Sequence, residues 1–194
     1  MAQIRNLLLN EYHFTTYQLE KMKYVLLSLL SEITKFMLII SFFLIMHKLP
    51  ELIVSTIVLI CIRCFTGGIH LKHYLSCLIL TFCIFFIGIY ILPMLISINS
   101  FGMILVLNIC IILIYLIGPV PSSYRPPLSA EQKNKCKIIA VTTILIFIYI
   151  IFVFQEASCI SAGFWIIVLQ TLQLGFAKIF LLTKGEEKNE AKNC

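Results

Sequence analysis

Residues Leu75 to Ile96 read LSCLILTFCIFFIGIYILPMLI, an unbroken apolar run without one charged side chain. Lipid cannot hydrogen-bond an open backbone, so such a segment is stable in a bilayer only as a helix or as a strand of a closed barrel. A barrel strand would alternate apolar and polar residues. This run does not alternate, and it is close to the ~20 residues that a helix needs to cross the hydrocarbon core. Five more runs share its character: Tyr24 to Met46, Leu49 to Ile62, Met103 to Ile117, Ile138 to Phe154 and Gly163 to Leu182. The second and fourth of the six are short, which points to a thinned bilayer or to helices that end early inside protein. Composition agrees: with 60% hydrophobic and 12% charged residues and a mean hydropathy of +1.01, too little polar surface exists to clothe a soluble globule. The fold class is therefore all-α, a polytopic integral membrane helical bundle of about six transmembrane helices.

The 194 residues are used almost entirely by spans and short connections, so one membrane domain is expected. It divides into a leader (1–23), a transmembrane bundle (24–182) and a charged tail (183–194). The leader mixes Leu7, Leu8, Leu9, Phe14 and Leu19 with Arg5, Glu11, Glu20 and Lys21, as suits an amphipathic helix lying on the membrane. Cations set the orientation. Arg5, Lys21 and Lys23 precede the first span, Arg63 and Lys72 follow the second, and Arg125, Lys133, Lys135 and Lys137 follow the fourth. Lys184, Lys188 and Lys192 follow the sixth, and the opposite side has almost only Lys48. By the positive-inside rule both termini and the two long connections face the cytoplasm. Gly118 to Pro127, with four prolines, reads as a stiff loop there. The eight cysteines are expected to be mostly packing thiols rather than disulfides, since several sit in apolar spans and a reducing cytoplasm bathes the inward ones.

Ionisable groups inside spans are costly, which singles out Glu32, Lys35 and Arg63. The chain has no Asp, and Glu32 is the acid placed well inside a span. An ion pair of Glu32 with Lys35 one turn away, or with Arg63 across helices, is the purely structural account. The densest polar cluster runs from Arg63 to Cys77. Gly67 and Gly68 break the helix after the second span and let the backbone turn tightly. His70 and Cys77 flank the cytoplasmic start of the third span. A cysteine is a good nucleophile only as a thiolate, and an imidazole or a helix N-terminus is the usual means of producing one. On a continuous helix the two would stand about 10.5 Å apart along the axis, too far for proton transfer, so the segment has to bend back. Ordinary interface and packing roles for both are the bland alternative. Zinc held by Cys61, Cys64, His70 and His73 is a further one; it fits less well, because Cys61 sits at an apolar helix end and two dyads must fold into one tetrahedron.

The pattern Arg63…Gly67-Gly68-x-His70…Cys77 resembles that of the accessory gene regulator B (AgrB) family, the membrane cysteine endopeptidases of bacterial quorum sensing. The resemblance extends over nearly the whole chain, through the polar leader, Glu32 in the first span, the proline-rich loop and the charged tail. The basic run Lys133 to Lys137 departs from it, being interrupted and offset from the prolines. The resemblance implies that His70 and Cys77 are catalytic, with Glu32 and Arg63 also needed and Gly67 and Gly68 supporting the turn. It implies a bacterial cell-membrane protein and, as substrate, a small cytoplasmic precursor with an internal cysteine and an acidic C-terminal tail. Removal of the tail would leave a thiolactone macrocycle. No cofactor, resident metal or nucleic-acid partner is expected; lipid is, and so, as an option, is a homodimer. A small-solute or metal transporter and a non-catalytic membrane partner are the competing classes. A carrier would want broken helices and polar groups near the midplane, where this chain offers mainly Glu32 and Lys35.

Overall fold

The computed structural model describes residue 30 and residues 33–67, 74–120, 129–154 and 157–193, with side chains described as far as residue 180. The described residues form helices and no strands: α1 Ile33–Ile45, α2 Leu49–Thr66, α3 Tyr74–Leu95, α4 Ser100–Ile117, α5 Ala130–Val153 and α6 Ser158–Asn193. Five of them, α2 to α5 and the Ser158–Phe180 part of α6, are long and apolar enough to cross a membrane. The described part of the first expected span, α1, is shorter; the leader and the start of that span lie outside the described residues.

Several boundaries correct the sequence reading. The second and fourth spans are not short: α2 and α4 have 18 residues each. Arg63 does not end α2, because the helix runs one more turn to Thr66, and α4 begins at Ser100, where the Asn99 side chain accepts from the Gly102 N–H at 3.0 Å. Polar and glycine residues at helix ends had shortened the apolar runs without shortening the helices. Lys133, Lys135 and Lys137 are on α5 rather than in a loop. Ser129 caps that helix, its hydroxyl accepting from the Gln132 N–H at 3.2 Å while the Gln132 side chain accepts from the Ser129 N–H at 3.0 Å. The last helix starts five positions before Gly163 and continues through the charged tail to Asn193.

The chain divides into two compact units, Met1–Ile45 and Met46–Cys194. In the first, α1 buries Lys35, Ile39 and Phe43, spaced i, i+4, i+8 along one stripe, and exposes Met37, Leu38, Leu44 and Ile45.

In the second unit α6 is the central post. Of its span 61% is buried, against 17–39% for the other four, and it packs on α2, on α4 and on the middle of α3. The core is built from stripes of helical period: Leu107, Cys110 and Ile114 on α4; Ala140, Ile144, Phe147 and Ile151 on α5; Phe164, Ile167 and Leu174 on α6. With lipid as apolar as the core, close fit rather than expulsion of apolar groups from water holds such helices together. Gly163 shows how close. A Cβ there would come within 2.6 Å of Phe147 Cζ, so Gly163→Val is expected to destabilise the bundle by about 1–3 kcal/mol through overpacking. Thermal unfolding in detergent, compared with Gly175→Ala, where a Cβ meets nothing within 4 Å, checks this.

Polar ties fix the ends. Glu51, buried at the start of α2, accepts from Lys48 Nζ and from Ser158 Oγ, each at 2.8 Å, and so joins the starts of α2 and α6. α3 contains a π turn over Ile87–Ile91. Pro93 just beyond it has no N–H, and its ring would press on the Ile89 carbonyl in a regular helix; the wider turn relieves both problems. Gly88 within this turn lies against Ile166 and Leu169 of α6.

Candidate functional site

α2 delivers the half-buried Arg63 in its last turn and then stops. The stop is made by Gly67, whose φ of 80° and ψ of −162° are open in practice only to glycine. Its N–H still donates to the Arg63 carbonyl at 3.0 Å, while Thr66 Oγ1 donates back to the Ile62 carbonyl at 3.0 Å. Two other elements pin this point. The Val120 N–H, in the segment after α4, donates to the Thr66 carbonyl at 3.0 Å, and Gln170 Nε2, on α6, donates to the Gly67 carbonyl at 3.1 Å. Val120 packs so near that a Cβ on Gly67 would stand 3.0 Å from its carbonyl oxygen. The beginning of the α2–α3 connection is thus held from both sides at the end of the bundle opposite Glu51.

The described part of α3 begins at Tyr74, and Cys77 lies on it three residues further on. Its thiol is half-buried, and its carbonyl accepts from Thr81 Oγ1 at 2.9 Å. Gly68, His70, His73 and Glu32 lie outside the described residues, and with them the dyad distance, the zinc tetrahedron and both expected Glu32 ion pairs. Of the other named residues, Cys61 is half-buried and Cys64 exposed near the end of α2, and Lys35 is buried on α1. Among the described residues no group of three His, Cys, Asp or Glu side chains is placed to hold a metal. The seven described cysteines are all thiols. Two of the three lysines of α5 are in use on its surface: Lys135 pairs with Glu131 at 2.7 Å, and Lys137 Nζ lies 4.9 Å from the centre of the Tyr115 ring.

Val120 and Gln170 escaped the sequence reading. Nothing marks a valine between two loop prolines as the donor to Thr66. Gln170 did carry a signal, being an uncharged polar residue in an apolar span, but attention to ionisable groups passed over it.

Comparison with known proteins gives a consistent result. The family described as Accessory gene regulator B matches residues 2–174. A relative from Clostridium beijerinckii, described as an AgrB-like protein, is 27% identical over 175 residues, covering 89% of this chain and 83% of the relative. No solved structure matches the chain.

Proposed function

The chain belongs to the accessory gene regulator B family, and on that premise we propose that it is a membrane cysteine endopeptidase that trims and cyclises a small quorum-sensing peptide precursor. The observation that carries the reading is the half-buried thiol of Cys77 near the start of the described part of α3, beyond a connection whose start is clamped at Gly67. In the proposed reaction the Cys77 thiolate adds to the scissile carbonyl, and the C–N bond breaks as His70 passes its proton to the leaving amine of the tail. The acyl group remains on Cys77 as a thioester. The precursor's own cysteine thiolate then attacks that carbonyl, a thiolactone forms, and the Cys77 thiolate leaves. One thioester replaces another, so no nucleotide is consumed, provided water is kept from the acyl-enzyme.

Both termini and the Gly67–Cys77 connection are proposed to face the cytoplasm, following the cations, in one continuous membrane domain. Co-expression with cysteine-containing short peptides encoded beside this gene, followed by mass analysis, tests the reading. The expected product has lost an acidic C-terminal segment and one water relative to the free acid of the trimmed peptide. In the same cells an impermeant maleimide is expected to reach Ser97→Cys from outside and Lys135→Cys only after the cytoplasmic face is opened. A linear product would refute cyclisation, and an untouched panel of peptides would refute the peptidase.

A further inference from the structure

α6 carries two glutamines one turn apart, Gln170 and Gln173, which are 1% and 7% exposed. Thr171 between them solves its burial in the usual intrahelical way, its hydroxyl donating to the Ile167 carbonyl at 2.8 Å. The glutamines do not. Gln170 Oε1 and both amide atoms of Gln173 are buried without a hydrogen-bond partner among the described residues. Groups of this kind are rare in native interiors, and each calls for an explanation.

Their chemistry is defined by what already surrounds them. The Gly67 carbonyl can only accept, so the Gln170 atom beside it is the NH2 group, and the open atom of Gln170 is an acceptor. Gln173 offers one more acceptor and an NH2 donor. A partner that serves all three atoms must present a donor and an acceptor together, within reach of two points one helical turn apart. A carboxylate has no donor for the two oxygens, and an apolar side chain satisfies neither amide. An extended peptide main chain has both groups at a suitable repeat. The position fits: Gln170 holds Gly67 with its other end, and Leu174, one position on from Gln173, faces Gly118 before the Val120 tie.

We infer that Gln170 and Gln173 are a binding site for the main chain of a peptide, read through its N–H and C=O groups rather than its sequence. That the peptide is the precursor rests on the proposed peptidase reading. The site would align the substrate backbone against the Gly67 turn, and Gln170 would both pin that turn and meet the substrate.

The test is designed to work without turnover. The Cys77→Ala protein in nanodiscs is titrated with a fluorescein-labelled synthetic copy of the co-expressed peptide and followed by anisotropy. Gln173→Met, similar in length and apolar, is expected to raise the Kd about tenfold, the effect of one or two lost hydrogen bonds, while leaving the melting temperature equal or higher. Methylation of one peptide-backbone nitrogen is expected to weaken binding similarly in the parent protein but to add nothing in Gln173→Met, the mark of a direct pair. Gln173→Leu guards against a fault peculiar to methionine. An unchanged Kd in both variants means that buried water serves the amides and overturns the site. A lowered melting temperature with parallel loss of binding makes the glutamines structural and overturns it too, as does affinity that follows sodium concentration rather than backbone methylation. Gln173-dependent binding without any cleavage by the Cys77 protein would overturn the peptidase reading alone.

Discussion

Cys77→Ala is expected to lower tail removal on the order of 10⁴-fold or more while the protein inserts normally. The thiol is the atom that bonds to the scissile carbonyl in the proposed reaction, so no other group can substitute for it. Alanine at this position retains the helical backbone of α3 and the Thr81 bond to its carbonyl, so the fold should not notice the change. His70→Ala is expected to fall comparably, because the leaving amine then has no proton donor. Cleavage per membrane-inserted molecule, by mass, is the measurement, with Cys83→Ala as control on the same helix, where an exposed thiol is expected to be dispensable. Appreciable turnover by Cys77→Ala would remove the nucleophile from the proposal and return the chain to the transporter or partner classes.

Gly67→Ala is expected to be the most damaging methyl group that can be added to this protein near the site. The residue sits at φ 80° and ψ −162°, a region that costs a non-glycine residue about 1–3 kcal/mol. The added Cβ would also stand 3.0 Å from the Val120 carbonyl oxygen, a backbone atom that cannot swing away. Relief requires the connection to back off from Val120 and Gln170, which breaks the ties to Thr66 and Gly67 that fix where the α2–α3 connection starts. A lower melting temperature should therefore come with a disproportionate drop in cleavage per folded molecule. Near-normal activity at reduced stability would mean that the clamp serves the fold and not the chemistry.

The helical class and the approximate place of each span were legible because a continuous apolar run allows little else in a membrane. Helix ends were less so. The rule that located spans counted apolar residues, whereas Thr66, Ser100 and the lysines of α5 are helical because caps and backbone bonds extend the helix past the lipid-facing stretch. Which face of each helix points inward could not be read at all. In water an amphipathic stripe marks the core, but here Ile144 is buried while Leu145 and Ile146 are exposed, and all three are equally apolar because the outside is oil. The centrality of α6 was hidden for the same reason. At the site, Gly67 as a helix breaker followed from glycine's backbone freedom, and the place of Cys77 on the third helix from the apolar run that contains it. The ties from Val120 and Gln170 join residues far apart in the chain, and no local pattern encodes them.

The π turn over Ile87–Ile91 bears on where the Cys77 thiol points. A π turn holds one residue more than an α turn, and one residue of helix is worth about 100° of rotation. Gly88, inside the turn, packs on Ile166 and Leu169 of the central post, so with the turn anchored there the surplus residue is expressed as azimuth of the segment that carries Cys77. Were the turn to close into regular helix with the same anchor, the thiol would swing through more than a quarter of a circle, from one flank of α3 to another. Pro93 keeps it open. A proline sixteen residues from the proposed nucleophile thereby acts as its compass.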